Sequence, residues 1–364
     1  MMCSDVEDVA FEAIWSITNI TSGTSEHTKY LIQLGVTEVL LHILLSNKMK
    51  LKEHAIWAIG NIAADSPEFR DLLIDHDVIL QIVNNFHLPQ IKLSFIRNAS
   101  WALFNICRLK PYPPLDTLEP IFPCWQKVIH IDDEVTLIDI CWSISYLSDA
   151  YHSENSFISF FDSISKRLVH LLERNEQIQI PILRIFGNIA SGSDIHTDRI
   201  IDKNILKFLF LSLHSNSANI KKESCWTISN ITAGNSYQID CVMNAQIIAR
   251  LIQIIPNAEF DVKKEATWAL CNVAIGGNDK QRVQLVENKF LDVVVDLLKI
   301  QDTSLLNVLL ESLLKILKMN TEYSKNLEEN GTPDILASYQ HHQNQEIATK
   351  ISTLLDTYFE EEKE

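Results

Sequence analysis

Glycine and proline are scarce, 9 and 10 among 364 residues, which leaves few backbone breaks and predicts helices joined by short turns. Polar residues interrupt the apolar runs well before the roughly 18–20 residues needed to cross a bilayer. No basic-then-apolar leader opens the chain, because "MMCSDVEDVAFEA" is acidic. No C-x-x-C pair occurs among Cys3, Cys107, Cys124, Cys141, Cys225, Cys241 and Cys271. That spacing argues against a zinc site or a disulfide framework and suggests a reduced, intracellular protein. Basic residues are in deficit: 31 Lys and Arg against 47 Asp and Glu give a net charge of −16. The balance disfavours nucleic acid and anionic membranes as partners and favours basic ones. The chain lacks a P-loop, H-E-x-x-H and G-x-S-x-G. His341 and His342 are adjacent, so on a helix they point apart and make a poor metal pair. No catalysis, cofactor or metal is expected.

What is present is a repeat. The segments "EAIWSITNITSGTS", "HAIWAIGNIAADSP", "NASWALFNICRLKP", "DICWSISYLSDAYH", "PILRIFGNIASGSD", "ESCWTISNITAGNS" and "EATWALCNVAIGGN" align on Trp15, Trp57, Trp101, Trp142, Arg184, Trp226 and Trp268. Successive anchors are 42, 44, 41, 42, 42 and 42 residues apart, the period of helical HEAT or armadillo repeats. Two weaker copies place Leu310 and Ser352 at the same interval and have the character of closing repeats. Between anchors come a small-residue turn and two apolar helical segments, giving three helices per unit. "RLKPYPP" holds three prolines and must be a loop. The expected fold is all-α, one solenoid domain over 1–358, with an acidic tail at 359–364.

Six tryptophans share one register, and five of them have Asn four residues on: Trp15/Asn19, Trp57/Asn61, Trp101/Asn105, Trp226/Asn230 and Trp268/Asn272. A purely structural core position drifts among Leu, Ile, Val and Phe; this one does not. An Asn carboxamide can pair with both C=O and N–H of an extended peptide, while indole walls suit the stems and charges of Lys or Arg. At about 8–10 Å between packed helices and about 3.3–3.6 Å per extended residue, one repeat spans two to three peptide residues. Asp65, Asp139, Asp149, Asp194 and Glu265 fall within six positions of an anchor or its Asn equivalent and would favour basic ligands. Gly60 is expected to keep the face slim for a ligand's approach. Tyr146 replaces one Asn and Arg184 one Trp. The interruption separates two sets by roughly 30 Å of repeat stacking, so two basic clusters joined by about nine or more extended residues would fit.

These residues resemble the armadillo domain of importin α (karyopherin α), the family of adaptors that read nuclear localisation signals. The similarity covers about residues 5–300, and its "W-x-x-x-N" ladder is broken at Tyr146 and Arg184 in the family's own place. The resemblance implies a right-handed armadillo superhelix, here of about eight to nine repeats with the first incomplete. It implies a major site for Lys/Arg-rich signals at Trp15, Asn19, Trp57, Asn61, Trp101 and Asn105. Asp65 matches the carboxylate that holds the key lysine, aided by Gly23 and Thr28. Arg108 and Asp139 match ancillary positions of that set, toward the second one. Asn188, Asp194, Thr197, Trp226, Asn230, Glu265, Trp268 and Asn272 match the minor site, with which Asp149 is grouped.

By the same resemblance the partners are basic signal peptides on cargo proteins, importin β, and the export factor that recycles the adaptor, and the location is cytoplasm and nucleus. Met1 lies only 14 residues before Trp15, so the family's basic importin-β-binding segment, most of its first repeat and the early helices of its second have no counterpart here. His54 stands where the family usually carries Gln. Two functions follow: an import adaptor, or a non-transporting binder or scaffold that sequesters basic proteins. A catenin-like scaffold fits less well, because those ladders lack the regular Trp.

Overall fold

The computed structural model describes residues 1–86, 91–300 and 302–359; the expected acidic tail, apart from Phe359, lies outside them. The described residues are helical throughout, with short 3-10 turns. They form two compact units, Met1–Ile185 and Phe186–Glu364. Each anchor residue sits on the last helix of its repeat, which is the longest one in every repeat but that of Arg184. In the first unit these are Glu7–Thr21, Met49–Asp65, Leu93–Arg108 and Glu134–Tyr151. In the second they are Ala218–Thr232, Phe260–Gly276, Thr303–Met319 and Gln345–Tyr358. Arg184 lies on Glu176–Ala190, where the two units meet in sequence.

Positions two and five after Trp57, Trp101, Trp142, Trp226 and Trp268 are buried: Ile59 and Ile62, Leu103 and Ile106, Ile144 and Leu147 in the first unit, and Ile228 and Ile231, Leu270 and Val273 in the second. Consecutive anchor helices pack through these rows, as an apolar stripe of helical period requires. Cys107, Cys124, Cys141, Cys225 and Cys271 are part of this core. Burial pushes the Cys124, Cys141 and Cys271 thiols up to about 12, which leaves them protonated and inert at neutral pH.

Among the described residues, six repeats break their two short helices at one left-handed residue: Gly35, Asp77, Asn204, Gln246, Lys289 and Gly331, with φ between 58° and 80°. Glycine adopts this conformation freely, Asp and Asn tolerate it, and Gln246 and Lys289 take it against their preference. The stretch Asn155–Leu171 has no such residue, and there one 17-residue helix replaces the expected two. Consecutive repeats are tied across by charge. Arg97 grips Asp133 at 2.6 Å and holds that carboxyl down at about 2. Lys222 meets Asp261 at 2.8 Å and Lys264 meets Asp302 at 2.5 Å.

The proline-rich loop is a fixed structure. Arg70, 1% exposed, donates to the carbonyls of Leu109 and Pro111, and Tyr151 donates to that of Pro113. No single described helix is long and apolar enough to cross a membrane.

Candidate peptide-binding grooves

The ladder exists in three dimensions within each unit. In a helix, residues i and i+4 share a face, so each Trp stands beside its Asn. Trp15 and Trp57 are 40% and 39% exposed, and Trp101, Trp142, Trp226 and Trp268 are half-buried. Indoles left open at one register, beside rows of fully buried aliphatic residues, are what a binding surface requires.

Three of the asparagines also bond across to the preceding repeat. Asn61 Nδ2 donates to the Thr18 carbonyl at 3.0 Å and to Thr21 Oγ1 at 3.2 Å. Asn230 Nδ2 donates to the Gly187 carbonyl at 3.0 Å, and Asn272 Nδ2 to the Ser229 carbonyl at 2.9 Å. Each carboxamide thus reaches the backbone carbonyl three past the anchor in the preceding repeat. These bonds fix each carboxamide's rotamer through its amide group and do not use its Oδ1 acceptor. Two members of the row are different. Asn105, 2% exposed, donates to its own helix at the Trp101 carbonyl, 3.1 Å, and Asn188 is 6% exposed. Asn19 is exposed.

The acidic groups divide by what already holds them. Asp65 closes the Trp57 helix; its Oδ1 accepts from Ser25 Oγ at 2.8 Å, while Oδ2 is buried with no partner. Thr28, expected beside it, is fully buried with an unpartnered hydroxyl, and Gly23 is exposed on the turn after Trp15. Arg108 turns inward: it donates to the Ala64 carbonyl at 3.0 Å and lies 5.9 Å from the Phe104 ring.

Asp149, grouped by sequence with the minor set, belongs to the first unit and is already satisfied. Lys110 Nζ lies 2.8 Å away and Tyr112 donates at 2.9 Å, because the fixed proline loop brings both side chains over it. In the second unit Asp194 accepts from Asn235 at 3.0 Å. Thr197 is buried and donates to the Ala190 carbonyl at 3.1 Å. Glu265 is half-buried, and its carboxyl is raised by burial against the pull of Lys264 and Lys222.

Asp139 is half-buried, with its carboxyl pushed up to about 7 by burial and by the Asp133 carboxylate. Its sign is simple. The folded chain binds this proton up to about pH 7, whereas the unfolded chain releases it near 3.8. Stability therefore falls as pH rises between those values. Asp139→Asn should raise Tm by roughly 2–6 °C at pH 8 and leave it unchanged at pH 4. An equal gain at both pH values would show that this carboxyl does not titrate in that window.

The interruption of the ladder has a physical occupant. The Arg184 guanidinium lies over the Trp142 ring, 5.2 Å from its centroid, and Tyr146 stacks on Trp142 at 5.9 Å. The chain's own cation thus covers this indole face.

Gly60 is the clearest revision of the sequence reading. A Cβ there would stand 2.4 Å from Trp101 Cζ3 and 2.7 Å from Cε3. The glycine admits the neighbouring indole, not the ligand. Gly187 does the same for Trp226, with the corresponding distances 2.2 and 2.6 Å. Sequence reasoning also passed over Phe11, which joins Trp15 and His54 in an aromatic cluster at 6.3 and 4.6 Å. Its position one helical turn before Trp15 was the available signal.

The armadillo/beta-catenin-like repeat family matches residues 24–64 and 235–275, each running from a turn to the end of an anchor pair. An engineered protein of known structure superposes with a TM-score of 0.85 over 97% of this chain and 86% of its own, at 22% identity. A designed armadillo repeat protein solved in complex with the peptide (KR)4 is 26% identical, with a TM-score of 0.59, over 65% of this chain and 99% of its own. Importin subunit alpha-1b of Oryza sativa subsp. japonica is 39% identical over 377 aligned residues, 99% of this chain and 70% of the relative's length. With the Trp/Asn rows in place on armadillo repeats, the chain belongs to the importin α family.

Proposed function

We propose that the chain is a receptor for extended Lys/Arg-rich segments and serves as an adaptor for nuclear protein import. The observation that carries this reading is Asp65. One of its oxygens is fixed by Ser25 and the other is buried and unpartnered, at the end of a helix whose indole is open to solvent. A buried carboxylate oxygen without a donor is costly, and a lysine ammonium entering from the groove would satisfy it. The (KR)4 peptide bound by a designed armadillo relative supports the same chemistry.

The first unit would hold one basic cluster along Trp15, Asn19, Trp57, Asn61, Asp65 and Trp101. The second would hold another along Trp226, Asn230, Glu265, Trp268 and Asn272. Partners proposed from the family are basic cargo, importin β and the recycling export factor, in cytoplasm and nucleus.

Titration of a fluorescent Lys-rich peptide should give a Kd of about 1 μM or tighter at low salt. Affinity should fall as salt rises past about 0.15 M, where the screening length is about 8 Å. Absence of binding at about 100 μM peptide would remove the reading, since that corresponds to less than roughly 5.5 kcal/mol. Retention of the full chain on immobilised importin β would support the transport role. Peptide binding without such retention would leave a binder of basic proteins only.

A further inference from the structure

The gap between Trp15 and Trp57 is closed. Their ring centroids lie 6.1 Å apart, edge to face at 86°. A methylene stem held between two rings needs about 7 Å, because carbon contacts optimise at about 3.5–4.0 Å on each side.

What braces this closed pair is His54, one helical turn before Trp57. Its ring meets Trp15 at 5.3 Å, stacks on Trp57 at 6.2 Å with an interplanar angle of 24°, and meets Phe11 edge-on at 4.6 Å. Three aromatic neighbours hold one imidazole, and its Nδ1 is shielded from solvent without a hydrogen-bond partner. The ring therefore acts as a packing piece, and moving either indole to open the slot would cost His54 its contact with that indole. A cation already serves the outer edge of the cluster: Lys50 Nζ stands 4.0 Å from the Phe11 centroid and 3.8 Å from Asp8. The next step of the ladder has no such plug. Trp101 leans on Gly60, and among the described residues no ring contact joins it to Trp57.

We propose that His54 is a specificity-determining residue of this groove. It closes the Trp15–Trp57 slot to the stem of a lysine or arginine, so that a basic segment is read on the Asp65 side and not between those two indoles. Histidine is also the one aromatic member of its register: the equivalent positions three before the other anchors are Glu12, Asn98, Asp139, Pro181, Glu223 and Glu265. The closure is thus local to one slot.

The inference rests on the groove reading, and an alanine scan of one Lys-rich peptide separates the two. Each lysine is replaced in turn, and every peptide is titrated by fluorescence anisotropy against the parent chain, His54→Ala and His54→Gln. The Gln variant keeps a side chain of similar reach without the ring, so it stands in if the smaller residue unfolds the first repeat. In the parent, the lysine facing the closed slot should be replaceable with less than about a twofold change. In the variants that same position should cost at least about fivefold, roughly 1 kcal/mol, and the unsubstituted peptide should bind more tightly than to the parent. Scans that coincide in parent and variants overturn the role of His54 while leaving the groove intact. Failure of every peptide to bind the parent overturns the groove reading, and this inference with it.

Discussion

Asp65→Lys is expected to reduce affinity for a Lys-rich peptide by about 100-fold or more, against about 10-fold for Asp65→Asn. The two variants separate loss of attraction from added repulsion. A unit-charge pair at about 4 Å near a protein surface is worth up to roughly 4 kcal/mol, part of which solvent and salt remove. Asn removes the charge yet can still accept from Ser25, which now donates to Oδ1 at 2.8 Å. Lys removes the charge, loses that acceptor and sets an ammonium where the ligand's ammonium would go, and each 1.4 kcal/mol is a factor of ten. Far-ultraviolet circular dichroism should show both variants as helical as the parent, because Asp65 is the last residue of its helix and only half-buried. The difference between them should shrink as salt rises. Equal binding by Asp65→Lys and parent would show that the unpartnered oxygen is not the lysine site.

The repeat was legible because stacking imposes it. A residue that must occupy the same place in every unit recurs at the same interval, and the spacing of Trp57, Trp101 and Trp142 shows it directly. The three-helix unit was legible for the same reason, except at Asn155–Leu171. There the sequence keeps its apolar rhythm but lacks the left-handed residue that divides the helices in six of the repeats.

What the sequence hid were relations between residues about 40 apart. The donors on Asn61 and Asn272 go to carbonyls 43 residues back, and backbone carbonyls leave no mark in a side-chain pattern. Asp149 is acidic and near an anchor, yet Lys110 neutralises it from 39 residues away. Asn105 carries the motif but is buried, donating within its own helix. Residue type reported the chemistry available at each position; packing decided which of it remains free for a ligand.

Gly60→Val should destabilise the chain by about 3 kcal/mol, and Gly60→Ala should cost both stability and binding. Alanine is the sharper test, because two effects oppose. In a helix interior Ala is favoured over Gly by about 1 kcal/mol, so an open site would gain stability. Here the added carbon meets the Trp101 ring at 2.4 Å and the Ala102 Cα at 3.3 Å. The ring is rigid and the second contact is backbone, so the indole must rotate off its seat. Overpacking of this kind costs about 1–3 kcal/mol, which outweighs the helix gain. Valine adds two further carbons and a stiff χ1 in the same space. Since the Trp101 indole then leaves its place in the row, peptide affinity should fall about tenfold in the Ala variant, roughly 1.4 kcal/mol. Gly187→Ala repeats the test against Trp226 in the second unit, where the corresponding contact would be 2.2 Å. Urea midpoints and the peptide titration measure both quantities. A Gly60→Ala variant more stable than the parent, with unchanged binding, would mean that the indole has room to move and that the glycine is not what seats the ladder.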